Sequence, residues 1–211
     1  MKFATLENFE DDVLESPIPC IVTFKSEEVI YDCLKTIPKD ISIIIVDNSN
    51  DKKFKLNIEK KFNNIKCVLS EKNLGMGAGN NYGLKYVKTD FAFLINPDVT
   101  FDNDAFDELI NSIKILKTFG IVSPLSKNTN RPNYRLDEHQ NTDYDKNKPF
   151  KVKSVDGYAM LINLKKLNES EKFKNLNYFD EKIFMYLEND DLCKRVKEIN
   201  ELFDRWRDAR Q

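Results

Sequence analysis

The stretch Asp90-Phe-Ala-Phe-Leu-Ile-Asn-Pro-Asp-Val-Thr100 decides the fold class. Residues Phe91 to Ile95 are continuously apolar, and the run ends abruptly in Asn96-Pro97-Asp98. A short apolar run closed by turn residues reads as a strand buried on both faces. Pro97 has no amide hydrogen for a sheet ladder, so the strand stops there. The Asp98 carboxylate is thereby delivered just past the end of a buried strand, the edge at which open parallel α/β sheets bind ligands. The earlier run Ser42-Ile-Ile-Ile-Val46 repeats the pattern and closes with Asp47-Asn48-Ser49. Two buried strands with acidic, amide-bearing tips point to one site at one edge of one sheet.

The rest of the chain extends that pattern. Pro17 to Phe24 reads as a first strand, followed by a helix capped by Ser26 and ended by Pro38. Phe54, Ile58 and Phe62 mark a second helix, and Lys66 to Leu69 a third strand. The glycine-rich stretch Asn73 to Gly83 leads into a helix through Leu84 and Val87, and then into the Asp98 strand. This β-α-β-α-β-α-β order predicts a parallel sheet with crossover helices. Beyond it come a helix capped by Asn103 or Asp104 and ended by Gly120, and a short strand at Ile121 to Ser123. Leu125 to Lys148 reads as a long polar loop and Val155 to Leu164 as a strand. The apolar run through Phe184 to Leu187 precedes the cluster Glu188-Asn189-Asp190-Asp191, which opens a final amphipathic helix.

Composition narrows the function classes. The 211 residues suit one α/β domain, with 41% hydrophobic and 32% charged residues. A net charge of -2 with no uniformly basic stretch argues against nucleic acid as a partner. No apolar run approaches the ~18 residues of a membrane span, and Met1 to Glu15 lacks a signal-peptide pattern. The four cysteines, Cys20, Cys33, Cys67 and Cys193, form no C-x-x-C and sit in apolar patterns, so reduced buried thiols and the cytoplasm are expected. His139, the single histidine, lies in the polar loop, which leaves acid–base chemistry to carboxylates.

Three motifs carry chemistry, each with a plainer alternative. Gly75, Gly77, Gly79 and Gly83 allow close backbone approach to a phosphate or base, or else tight packing of a helix on the sheet. They match neither the dinucleotide fingerprint, since Tyr82 stands where the third glycine is required, nor a P-loop. Asp98 at a strand tip with no basic neighbour suits a hard divalent cation that also holds a diphosphate, or serves only a turn. The acids at Glu188 to Asp191 either cap a helix or include a semi-buried general base.

In this order the motifs resemble the family 2 glycosyltransferases, nucleotide-sugar enzymes of the GT-A fold, and especially the rhamnosyltransferase-like branch. The resemblance runs from Pro17 to Val196, through Ile21-Val-Thr-Phe-Lys-Ser26, Val46-Asp-Asn-Ser49, Asn73-Leu-Gly75, Asn80-Asn-Tyr-Gly83, Asn96-Pro-Asp98, Val155-Asp-Gly157, Met160-Leu-Ile162, Phe179-Asp-Glu181 and Tyr186 to Arg195. It implies an α/β fold, a mostly parallel sheet flanked by helices, with a Rossmann-like nucleotide-binding half (17–100) and an acceptor-side half (101–211). It implies nucleotide contacts from Thr23, Asp47, Asn48, Ser49, Asn73, Gly75, Gly79, Asn80 and Asn96, and Mn²⁺ or Mg²⁺ held by Asp98. The implied donor is a dTDP- or UDP-sugar, and the acceptor a glycan or a lipid-linked glycan at the inner face of the membrane. The implied reaction is inverting transfer, in the synthesis of a cell-surface polysaccharide or glycan.

Two departures qualify it. Asn189 replaces the family's first aspartate, and an amide takes no proton, so the base is Asp191, Glu188 or Asp190, with Asp191 favoured because it keeps the register of the second aspartate. The final helix also runs on to Gln211 where family members turn back into a strand. Its stripe of Leu192, Val196, Ile199, Phe203 and Trp206 either folds back on the domain or docks outward on a second copy or a membrane. The rivals are a catalytically inactive nucleotide-sugar-binding module and a sugar nucleotidyltransferase. The latter would want a lysine- and arginine-bearing glycine loop where Phe24-Lys25-Ser26-Glu27 stands.

Overall fold

A computed structural model describes residues 16–102, 104–116, 119–126, 130–138, 150–173 and 177–208, with the backbone alone for Ile115 and residues 200–208. Met1 to Glu15, Asn103, His139, most of the long loop and the side chains of Phe203 and Trp206 lie outside the described residues. The elements are β1 (Ile18–Thr23), α1 (Glu27–Lys35), β2 (Ile43–Asp47), α2 (Lys52–Lys61), β3 (Ile65–Leu69), α3 (Gly75–Leu84), β4 (Phe91–Ile95) and α4 (Ala105–Ile115). They continue with β5 (Ile121–Val122), β6 (Tyr134–Arg135), β7 (Ser154–Val155), β8 (Ala159–Asn163), α5 (Leu164–Asn168) and α6 (Glu188–Asp208).

The main sheet has the order β3-β2-β1-β4-β8-β5, and β6 pairs with β7 apart from it. Strands β3, β2, β1 and β4 run parallel, with Thr23 beside Asp47 and Ile21 beside Ile95. Strand β8 runs antiparallel to both β4 and β5. The chain reverses its direction of winding between β1 and β4. At such a switch point the connections leave the carboxyl ends of the two strands on opposite faces, and a crevice opens between them.

Strand alternation explains the continuous apolar runs. Ile21, Ile45, Phe93 and Ile95 point to a core shared with α1, α2 and α4, whereas Cys20, Ile44, Ala92 and Leu94 point to a second core under α3, α5 and α6. Both faces are covered, so no polar alternation is needed.

Several local expectations change. The glycine stretch is itself helical and forms α3, instead of preceding a helix. Gly83 fits there because a Cβ would stand 2.3 Å from Cys20 Sγ and 2.9 Å from Val46 Cγ2. Gly120 does not end α4, which closes at Ile115. It lies where a Cβ would meet Val196 Cγ1 at 2.4 Å, and so admits α6. Val155 to Leu164 divides into β7, a turn and β8, and Leu164 opens α5, capped by Asn163 Oδ1 on the Lys166 amide. Ser26 precedes α1 but caps no amide. Its hydroxyl bridges the Phe24 N–H and C=O at 3.3 Å each.

Candidate functional site

At the tips of β1 and β2 the polar residues form one buried network. Asp47, 1% exposed, accepts at Oδ1 from the Thr23 hydroxyl (3.2 Å), the Ser49 amide (3.2 Å) and the Ser49 hydroxyl (2.7 Å). Its Oδ2 accepts from the Asp51 amide at 2.7 Å. Asn48 donates to the Gly75 carbonyl at 3.0 Å and accepts from the Ser70 hydroxyl at 3.1 Å. Asn73 Oδ1 accepts from the Gly75 amide at 3.0 Å. Thr23, Asp47, Asn48, Ser49, Asn73 and Gly75 are thus brought together, with Ser70 as a member that the sequence did not single out. Gly79 packs on the strand side of α3, where a Cβ would approach Val22 Cγ1 at 2.9 Å, and Asn80 is buried next to it. Phe24, read as the last residue of the first strand, lies past its end and is 48% exposed, with Lys25 at a φ of 54° turning the chain.

Asn96 and Asp98 lie on the turn after β4, closed by the Val99 amide on the Asn96 carbonyl at 3.2 Å. Asp98 is exposed. The Asn96 amide donates to the Tyr158 carbonyl at 2.8 Å. Next to Tyr158, a Cβ on Gly157 would meet Asn189 Cβ at 3.2 Å. The turn between β7 and β8 therefore stands between the Asp98 turn and the start of α6. Among the described residues no three His, Cys, Asp or Glu side chains gather to hold a metal ion.

The four residues at the start of α6 have four different surroundings. The Asn189 amide donates to the Val155 carbonyl at 2.8 Å. Asp190 accepts from Arg135 at 3.1 Å, and the same guanidinium nitrogen stands 3.5 Å from Asp156. Asp191 Oδ2 accepts from Arg195 Nε at 2.8 Å and from Nη2 at 2.6 Å, and Nη2 also donates to the Tyr178 carbonyl at 2.6 Å. Glu188 differs from all three: its Oε2 is buried and has no hydrogen-bond partner among the described residues. Its Cβ lies 3.5 Å from the position a Cβ on Gly77 would take. A cavity of about 410 Å³ opens beside this helix start, lined by Phe179, Asp180, Glu181, Lys182, Asp191 and Arg195.

The run leading to these acids is not core. Phe184, Met185, Tyr186 and Leu187 are 45–77% exposed, and Tyr186 and Leu187 have φ of 64° and 66°. The segment is tied to α3 instead. The Met76 amide donates to the Phe184 carbonyl at 3.0 Å, and Gly75 (φ 79°) leaves no room for a Cβ, which would fall 2.1 Å from that oxygen.

Sulfur chemistry is absent from this edge. Burial pushes the thiols of Cys20, Cys33 and Cys67 up to about 12 and that of Cys193 to about 11. None supplies a thiolate near neutral pH, and all four are unpaired and buried, as their apolar context predicted.

The family model described as glycosyl transferase family 2 matches residues 20–170, well over half of the chain. The chain belongs to glycosyl transferase family 2. The matched span holds the strand tips, α3 and the Asp98 turn, and stops before α6. The low-salt glycan biosynthesis hexosyltransferase Agl10 of Haloferax volcanii is 26% identical in an alignment of 198 residues that covers 85% of this chain and 61% of that protein. The chain thus spans less than two thirds of this relative's length.

Among solved structures, the mannosyltransferase PcManGT from Pyrobaculum calidifontis, in complex with GDP-Man and Mn²⁺, superposes with a TM-score of 0.60 at 12% identity. That match covers 86% of this chain and 51% of the other. S. aureus TarS 1-349 in complex with UDP-GlcNAc gives 0.57 at 16% identity, covering 85% and 53%. These likenesses show the GT-A fold. Among the described residues, no helix is long and apolar enough to cross a membrane.

Proposed function

We propose that this family 2 glycosyltransferase catalyses inverting transfer of a sugar from a nucleoside diphosphate to an acceptor hydroxyl. The observation that carries the reading is the meeting of two groups of residues on the first turns of α3. Asn48, from the strand tips, holds the Gly75 carbonyl, and Glu188, from the start of α6, packs on Gly77. A donor at the β1/β4 crevice and a base facing an acceptor would then share one short helix. The donor half covers 17–100 and the acceptor-side half 101–211.

In this reading Glu188 takes the proton from the acceptor hydroxyl. The acceptor oxygen forms its bond to the anomeric carbon from one face. The bond from that carbon to the diphosphate oxygen breaks on the other, and its electron pair leaves with the nucleoside diphosphate. Glu188 is preferred to Asp191 and Asp190 because its Oε2 is unpartnered, while both aspartates already accept from guanidinium groups. Asp98 would supply one carboxylate to Mn²⁺ or Mg²⁺, with diphosphate oxygens and water completing the shell, as hard cations on nucleotides do. Such a cation would neutralise charge on the leaving group.

The donor fitting this reading is a UDP- or dTDP-sugar, a deoxyhexose such as rhamnose included. The acceptor is a glycan, free or lipid-linked, handled at the cytoplasmic face of a membrane during polysaccharide synthesis. The end of α6 is the part of the chain that would dock there or on a second copy. A second reading, a binding module without turnover, is favoured by Asn189, whose amide is spent on Val155 where the family carries an aspartate.

A thermal-shift screen of UDP, dTDP and their sugars, with and without Mn²⁺, tests the donor assignment. Binding raises the melting temperature by mass action. Asp98→Ala should fold normally and lose the metal-dependent part of the shift. Equal shifts with and without Mn²⁺ in both proteins contradict the metal assignment. Binding without release of UDP or dTDP selects the second reading.

A further inference from the structure

Asn81 lies on α3, one turn from Gly77, and is 0% exposed. Its side-chain amide pairs with both backbone groups of one residue. Nδ2 donates to the Phe179 carbonyl at 2.9 Å, and Oδ1 accepts from the Phe179 amide at 3.0 Å. Nδ2 also lies 3.3 Å from Glu181 Oε1. The side chain thus acts as a strand partner for Phe179, and only an amide offers a donor and an acceptor in that geometry. No polar residue elsewhere on α3 reaches the segment before α6 in this way among the described residues.

The same face of α3 is shaped for that segment. A Cβ on Gly77 would meet Phe179 Cβ at 3.2 Å, Glu188 Cβ at 3.5 Å and the Ile183 carbonyl at 3.6 Å. Among the described residues the other ties between Phe179 and Glu188 are mostly local. The Lys182 amide donates to Asp180 Oδ1 at 2.9 Å, and the Ile183 amide to the Asp180 carbonyl and the Asp191 amide to the Leu187 carbonyl at 3.0 Å each. The Met76 amide on the Phe184 carbonyl, at 3.0 Å, is the link to α3. Its last four residues before Glu188 are exposed. The body of α6 is anchored separately by buried Leu192, Cys193, Val196 and Ile199. That anchor sets the helix axis. The placement of the first-turn carboxylate against α3 depends on the incoming segment together with the Asn189 bond to the Val155 carbonyl.

We propose that Asn81 is a positioning residue: by clamping Phe179 to α3 it sets where the Glu188 carboxylate stands. This rests on the assignment of Glu188 as the base. Misplacing a reacting group by about 1 Å costs on the order of 100-fold in rate. The inference also gives the glycine face a purpose. Gly79 and Gly83 bring α3 onto the strands, while Gly75, Gly77 and Asn81 receive the acidic segment, so one helix joins the two sides of the reaction.

The test uses the full chain with UDP-hexoses and water as acceptor, so release of UDP reports turnover without a known glycan. Two variants are compared, Asn81→Ala, and Gly77→Ala in case loss of the clamp prevents folding. Hydrogen exchange of residues 179–188 is followed alongside turnover and calorimetric donor affinity. Both variants should keep donor affinity within about threefold, exchange faster over 179–188, and lose at least about tenfold in kcat. Faster exchange with unchanged kcat overturns the proposal, and so does unchanged exchange in the Asn81 variant. If the wild-type protein binds donor and releases no UDP, the functional reading fails instead. The exchange measurement still decides whether Asn81 holds the segment.

Discussion

The tips of β1 and β2 and the segment that enters α6 are built from similar residues, acids, amides and aromatics, yet they are held very differently. At the strand tips the Asp47 carboxylate receives four donors and is almost wholly buried. At the α6 end the Glu188 carboxylate has a buried oxygen with no donor, and Phe184 to Leu187 stand in solvent. The first region is a finished scaffold. The second leaves a polar atom without a protein donor among the described residues, a state that costs about 1–3 kcal/mol unless water, an ion or a ligand satisfies it. The contrast teaches that one edge of the sheet can be fixed by the fold at the β1 and β2 tips while, on the proposed reading, the acidic end of α6 is left unsaturated for an acceptor.

The contrast can be broken at its strong end. Asp47→Ala would strand the Ser49 hydroxyl and the Ser49 and Asp51 amides, while the Thr23 hydroxyl keeps the Val46 carbonyl at 3.3 Å. The expected cost is at least about 3 kcal/mol in urea denaturation. A loss under about 1 kcal/mol would mean that water replaces the network easily, and that the scaffold description is wrong.

A smaller effect is expected at the loose end. Tyr186 and Leu187 hold left-handed backbone at roughly 1–2 kcal/mol each for non-glycine residues, and glycine removes that strain while adding about 0.5–1 kcal/mol of unfolded-state entropy. Tyr186→Gly with Leu187→Gly should therefore leave stability unchanged or raise it by up to about 3 kcal/mol. A clear loss in the same assay would show that these exposed side chains make contacts that hold the segment.

The legible part of the fold is the part set by local apolar pattern. Ile43 to Val46 and Phe91 to Ile95 read as buried strands because helices cover both faces of the sheet. Asp47, Asn48 and Asp98 were found because turn residues end those runs at one edge. What stayed hidden depends on distant partners. Tight helix packing is one of the two readings of the α3 glycines, but the partners that require it are not legible in the sequence: Gly83 answers to Cys20, Gly79 to Val22 and Gly77 to Phe179. Phe184 to Leu187 reads as core by composition, but the chain is tied to α3 by its backbone and turned by two left-handed residues, which leaves the side chains outside. Asn81 looks like its neighbour Asn80 in sequence. Only the return of the chain to Phe179, 98 residues later, separates their roles. Among the acids, register in the sequence favours Asp191, whereas the proposed preference for Glu188 turns on where Arg195 and Arg135 reach, which the sequence does not show.

The most direct test of the central claim is turnover at saturating donor in Glu188→Gln beside Asp191→Asn. Glu188→Gln should bind donor normally and lose at least about 100-fold in kcat, the usual contribution of a general base. Asp191→Asn, which weakens only the tie to Arg195, should lose less than about tenfold. Full activity in Glu188→Gln, or a deeper loss in Asp191→Asn, would contradict the assignment and move the base to the other carboxylate.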